Sequence, residues 1–168
     1  MSSNPQIVSG RDLSLANTVQ EFLECPSPLL EEAVWAAAVP HWFNEEILAH
    51  ILGIPEEDAA AQYTRLQKMP FVQPVAGRGH TVHGPSRRLL LDNLWRNRQE
   101  EFRAWSRRAA EVFESRPDDP DCLLESIYHW LVADPDRGRQ PGLGLGGEME
   151  QHLPVHPLPR AGPGGDGA

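Results

Sequence analysis

Proline and glycine cut residues 27–134 into short pieces, and this punctuation constrains the fold more than any other feature of the chain. Proline lacks an amide N–H and breaks a helix from within, yet it suits the first helical turn. Pro28 after Ser27 therefore opens a helix through "LLEEAVWAAA" that stops near Pro40, with Leu30, Val34, Ala37 and Ala38 as its apolar stripe. Asn44 is placed to cap a second helix, with Glu45 and Glu46 against its positive end. Ile47, Leu48, Ile51 and Leu52 face inward there, and Gly53 ends it. Pro55 opens a third over 55–69, where Ala59, Tyr63 and Leu66 recur at helical spacing before Pro70. Pro74 limits "FVQPV" to a short or edge strand, and a glycine-rich turn joins it to "HTVHG".

Pro85 opens the next helix. Apolar residues then recur at Leu91, Trp95, Phe102, Trp105, Ala109 and Val112, and the polar "RNRQEE" divides that run into two helices. Asp119 and Pro120 start a last helix, with Leu123, Leu124, Ile127, Tyr128 and Leu131 inward. At the other end, residues 1–11 read as a loose leader and "SLANTVQEFLEC" as a helix with Leu15, Val19, Phe22 and Leu23 on one face. Beyond Asp134 the chain is rich in Gly and Pro with no periodic apolar face, the composition of a disordered tail. Its "GLGLGG" fits G-x-G-x-x-G by count, but a nucleotide fingerprint needs a strand before and a helix after.

Three helices, a hairpin and a further helix form the element order of a winged helix, and Gly53-Ile54-Pro55 is a suitably short turn between its second and third helices. The expected class is mainly α: a winged helix (helix-turn-helix with a small β-hairpin) followed by a helical arm. The expected layout is a leader and preceding helix at 1–26, a winged-helix domain at 27–97, the arm at 98–134 and the tail at 135–168.

The stretch "AAAVPHWFNEEILAHILGIPEEDAAAQYTRLQKMPFVQPVAGRGHTVHGPSRRLLL" resembles the winged-helix module of the STAND signalling NTPases, the NB-ARC/NACHT-like switch proteins. "EFRAWSRRAAEVFESRP" and "ESIYHWLVADPDRG" resemble the helical arm that leads into a repeat region in bacterial members. The resemblance covers residues 27–138. In that family a Met-His-Asp-like motif follows the wing, and its histidine touches the diphosphate of bound ADP. The matching residues are Val82, His83 and Gly84, with Gly84 departing from the acidic position. The chain contains no GxxxxGK[ST] phosphate loop. The resemblance thus implies a non-catalytic regulatory or interaction module, a fragment of a larger switch protein and no enzyme by itself. Its partner would be the NTPase domain of a parent or neighbouring protein, and ADP or ATP would be held only by the intact parent.

The residues make their own case for His83. It precedes a helix whose N-terminus carries partial positive charge and free N–H groups, and Ser86, Arg87 and Arg88 follow in the first turn, a set suited to an anion such as phosphate. Pro85 supplies no N–H there, and a histidine packed at a strand end is the plain alternative. His80 and His83 lie three apart on a strand and so point to opposite faces, which disfavours a metal pair. His41 and His50 sit on separate elements. Cys25 and Cys122 are far apart, form no CxxC, and read as structural thiols of a reducing compartment.

The competing function is a stand-alone winged-helix DNA-binding regulator. A net charge of -9 opposes it, as do Glu56, Glu57 and Asp58 at the start of the would-be recognition helix, with Arg78 the lone cation of the wing tip. A product truncated of its function is a third reading. Arg87 to Arg116 holds eight arginines against five acids, a solvated face or a docking surface for the NTPase domain. The five tryptophans are core candidates, any exposed subset marking a protein interface. No apolar run reaches the length of a membrane span and no signal peptide is visible, so the expected location is cytoplasmic.

Overall fold

A computed structural model describes residues 27–139 and the single helical position Asn17. The helix expected over 14–25, Cys25 and the tail beyond residue 139 otherwise lie outside the described residues. The described chain is mainly helical, with one two-stranded antiparallel sheet.

Helix α1, Pro28–Ala37, buries Leu30, Ala33, Val34, Trp35, Ala36 and Ala37, far more than one stripe. A helix apolar nearly all round belongs inside, and α1 is the central rod of the core. The link after it stays buried through Val39, Trp42 and Phe43. Asn44 caps α2, Glu45–Leu52, its Oδ1 accepting the Ile47 N–H at 2.9 Å, and Gly53 closes that helix in the left-handed region at φ +68°. Asn44→Ala is expected to cost about 1 kcal/mol, the usual worth of such a cap, read as a lower urea midpoint at unchanged slope. Helix α3, Glu56–Leu66, turns Ala59, Gln62, Tyr63 and Leu66 inward.

Strands β1, Val72–Val75, and β2, Gly79–Val82, pair with Val72 opposite Val82 and Pro74 opposite His80. His80 turns its own backbone groups the other way, exchanging hydrogen bonds of 2.8 and 2.9 Å with Phe43. β2 is therefore flanked on both sides, which leaves Pro74 on the edge strand where its missing N–H costs nothing. Gly79, at φ +110°, is needed here: a Cβ would sit 2.4 Å from the Phe43 carbonyl oxygen.

Helices α4, Gly84–Asn97, and α5, Gln99–Glu114, are separate, as the polar interruption predicts, and Arg98 breaks them at φ -136° and ψ 43°. The break re-phases the apolar stripe. α4 buries Ser86, Leu90 and Leu94, while Leu91 is half-buried and Trp95 half-exposed, contrary to the expectation for those two. On α5 Phe102, Trp105, Ala109 and Val112 are buried as expected.

Helix α6, Pro120–Ala133, is rotated about its axis from the expected orientation. Cys122, Glu125, Ser126, His129, Trp130 and Ala133 are buried, while of the expected stripe Leu124 and Leu131 are exposed and Leu123, Ile127 and Tyr128 half-buried. The reason lies in what α5 offers: the Phe113 ring stacks on His129 at 5.9 Å and Glu114 accepts the Trp130 indole N–H at 3.3 Å. The start of the expected tail is ordered. Pro135–Gly138 form a short helix, α7, capped by Asp134, and Arg137 lies over the Trp130 ring at 3.5 Å.

Candidate functional site

The mouth of α4 is where β2 delivers the chain, and His83 is its N-cap residue. The His83 N–H donates to the Phe71 carbonyl at 2.7 Å and the His83 carbonyl accepts the Arg87 N–H at 2.8 Å. Both main-chain groups are thereby spent, while the half-buried imidazole caps nothing and has no hydrogen bond or ion pair among the described residues. Gly84, next in the chain, lines a groove of about 630 Å³ between α4 and α6, whose charged lining residues are Arg87, Arg88 and Asp92 and whose aromatic ones are Trp95, Phe102 and Tyr128.

The other sequence-derived members of the set divide. Ser86 is fully buried and its hydroxyl finds no partner among the described residues. Arg87 turns toward the end of α1: its Nε donates to the carbonyls of Ala38 at 2.9 Å and Pro40 at 3.3 Å, and its Nη2 to that of Val39 at 2.9 Å. A helix leaves its last carbonyls without partners, and a guanidinium there supplies donors and a favourable charge at once. Arg88 is exposed at the groove. The structure thus brings Gly84, Arg87 and Arg88 to one groove, with the Arg87 guanidinium engaged by the main chain, while His83 adjoins Gly84 in the chain and is not among the groove's lining residues.

The wing tip is tied down. Arg78 donates to Asp119 through Nη1 at 3.0 Å and Nη2 at 3.2 Å, reaches Asp121 at 2.6 Å, and lies over the Trp42 ring at 4.9 Å. The hydrogen bonds from Arg78 hold the Asp119 carboxyl down at about 2. On the other flank the Tyr63 hydroxyl and His80 Nδ1 are hydrogen-bonded at 2.7 Å, so the hairpin is pinned to α3 as well.

A second polar cluster escaped sequence reasoning. Glu125, turned inward on α6, meets His41 Nδ1 at 2.7 Å, accepts the His41 backbone N–H at 3.2 Å and lies 3.3 Å from His129 Nε2. Among the described residues neither ring nitrogen of buried His129 makes a hydrogen bond, so that approach is a charge contact alone. Burial opposes ionisation of Glu125, but the two imidazoles outweigh it and its carboxyl stays at about 2. Burial also lowers the pKa of His129, against the pull of Glu125. Glu125 and His129 one helical turn apart were a visible signal; His41, 84 residues away, was not. Burial likewise pushes the Cys122 thiol up, in keeping with an inert structural residue.

Among the described residues no group of three or more His, Cys, Asp or Glu is placed to hold a metal ion, and no helix is long and apolar enough to cross a membrane. Compared with protein-family models, with curated proteins and with solved structures, the chain matches none.

Proposed function

We propose that this chain is a winged-helix module with a helical arm that serves a STAND-type signalling ATPase as a regulatory and docking part, without catalysis of its own. The reading places it in the cytoplasm, with the NTPase domain of a parent or neighbouring protein as partner. In support, three helices precede the hairpin, the Phe43 bridge gives that hairpin a third strand position, and Arg78 straps the wing to the arm. The observation that carries the reading is the uncommitted His83 imidazole at the first turn of α4, next in the chain to a groove whose lining includes Arg87 and Arg88 along with Asp92. An imidazole, a guanidinium and a helix N-terminus together favour a phosphate group.

Stand-alone DNA binding draws no such support. The one wing-tip cation is occupied by two aspartates, Gln62 is buried, and the exposed start of α3 is Glu56, Glu57 and Asp58. Phosphates would meet carboxylates there.

The test is titration of the isotopically labelled full chain with ADP. The ring proton of His83 should shift and saturate with a Kd on the order of 1 mM, the affinity of a few charge-assisted contacts without an NTPase core. His83→Ala should abolish the effect and leave the melting temperature unchanged, since the imidazole holds nothing in the fold. No movement of the His83 ring with ADP or with pyrophosphate overturns the phosphate-sensing assignment. Retardation of duplex DNA at low salt by the wild-type chain would move the reading to a DNA-binding regulator.

A further inference from the structure

Along α4 the groove shared with α6 changes character. Gly84, Arg87 and Arg88 line it at the start of the helix, Leu91 and Trp95 in the later turns. Buried Phe102 of α5 and half-buried Tyr128 and Val132 of α6 complete the apolar part. Packing within the chain sets the aromatic walls. Trp95 meets Phe102 edge-on at 6.3 Å, and the Tyr128 ring stands edge-on to His41 and to His129, each at 5.0 Å. Those contacts fix the rings without covering them, since Trp95 is 50% exposed. A mainly apolar concavity with a few polar groups at one end is the form of a small-ligand site.

We propose that this groove binds an amphiphile with one carboxylate head and one unbranched apolar chain, a medium-chain fatty acid. Charge selects the head. Asp92, the lining carboxylate, is already held by Arg96 at 3.0 Å, one turn further along α4. Arg87 spends donors on the carbonyls after α1 but keeps its charge. Arg88 is exposed, with no hydrogen bond or ion pair among the described residues. Three guanidiniums thus stand against one carboxylate, in a chain whose net charge is -9. A cationic ligand would meet that local excess, and an uncharged one would leave the Arg88 donors unused. A carboxylate takes up both the charge and the planar donor pair.

Shape selects the chain. From Gly84 to Trp95 helix α4 rises about 16 Å, which makes the groove longer than a compact ligand needs. Its volume of about 630 Å³ lies within the range of small-ligand sites, about 300–1,000 Å³. A carboxylate held at Arg88 directs an unbranched chain past Leu91 and onto Trp95 and Phe102. Each methylene laid on that surface leaves water. The groove is open along one side, so the chain stays partly wet and the Kd should be modest, on the order of 100 µM. The proposal does not rest on the signalling reading, because His83 is not among the residues that line the groove.

Titration of the full chain with dodecanoate below its micelle concentration tests it, followed by calorimetry and by the Trp95 indole N–H signal. Saturable heat is expected, with that signal moving in step. Dodecanol, which keeps the chain and loses the charge, and butyrate, which keeps the charge and loses the chain, should each bind about tenfold or more weakly. Arg88→Ala and Trp95→Ala should each raise the Kd for dodecanoate about tenfold. Both should melt as the wild type does, because both side chains are exposed. Arg88→Glu should strengthen the Trp95 response to dodecyltrimethylammonium, a gain that damage to the fold cannot produce. No binding of dodecanoate overturns the site, and binding that survives both alanine substitutions lies elsewhere and overturns it equally. Dodecanol binding as tightly as dodecanoate overturns the anionic class. A Trp95 response to vesicles of anionic phospholipid alone, with none to free dodecanoate, overturns it in favour of a membrane surface. None of these results touches the ADP titration of His83, which succeeds or fails separately.

Discussion

Arg87→Ala is expected to lower the unfolding free energy by about 3 kcal/mol and the melting temperature by roughly 10 °C. The guanidinium is the partner of three consecutive carbonyls, those of Ala38, Val39 and Pro40, at the closed end of the central helix. All three residues are buried, so water cannot readily replace the lost donors. A hydrogen bond to a charged group contributes about 1.5–3 kcal/mol, and an abandoned buried carbonyl costs a comparable amount, so even strongly non-additive bonds leave a large loss. Arg87→Lys should recover only part of it, because one ammonium cannot span the fan of acceptors that a planar guanidinium covers. Urea and thermal melts measure both variants. The deficit should be the same with and without ADP, since the bonds are internal to the fold. A loss below about 1 kcal/mol would mean that the end of α1 is open enough to hydrate, and would return Arg87 to the set available for a ligand.

Arg87 also shows where sequence reasoning runs out. Its partners are main-chain carbonyls, which any sequence supplies, so nothing in the residues around it distinguishes a C-terminal cap from an anion site. The caps and turns were legible because their causes are local: Asn44 bonds three residues on, Gly53 takes a left-handed φ, and Pro74 needs an edge. The phase of a helix about its own axis is a different matter. For α4 the stripe was read one position late, since Leu90 and Leu94 are inward and a single residue, Arg98, resets the count before α5. For α6 the ranking of faces by hydrophobicity points to Leu124 and Leu131. The inward face is instead set by Phe113 and Glu114 on α5 and by His41 in the link after α1. Those contacts are long-range, and no window along α6 contains them. At the candidate site the position of His83 was readable from the hairpin and Pro85, whereas the division of labour among Ser86, Arg87 and Arg88 was not.

The buried Glu125 cluster gives the second large effect, and its sign with pH follows from two groups. His129 has its pKa lowered by burial from a usual value of 6.5, so below that pH the unfolded chain takes up a proton that the folded chain refuses. Stability therefore falls as pH drops from 6.5. Glu125 is held at about 2 against a usual 4.5; the stability from its ionised form is complete above 4.5 and is lost as pH falls toward 2. The wild-type urea midpoint should thus decline in two overlapping stages on acidification. Glu125→Gln keeps the side-chain shape and should remove the lower stage while the upper one persists. His129→Gln should do the reverse. Glu125→Ala strips buried His129 and the half-exposed His41 of the carboxylate they share, and is expected to cost about 3 kcal/mol at neutral pH. A lower stage that remains in Glu125→Gln would assign it to the other acid-sensitive contact, the Arg78–Asp119 clasp, whose carboxyl is also held at about 2. The more exposed Asp119 carboxyl makes that clasp's share the smaller one, because solvent screens it more than the largely buried Glu125.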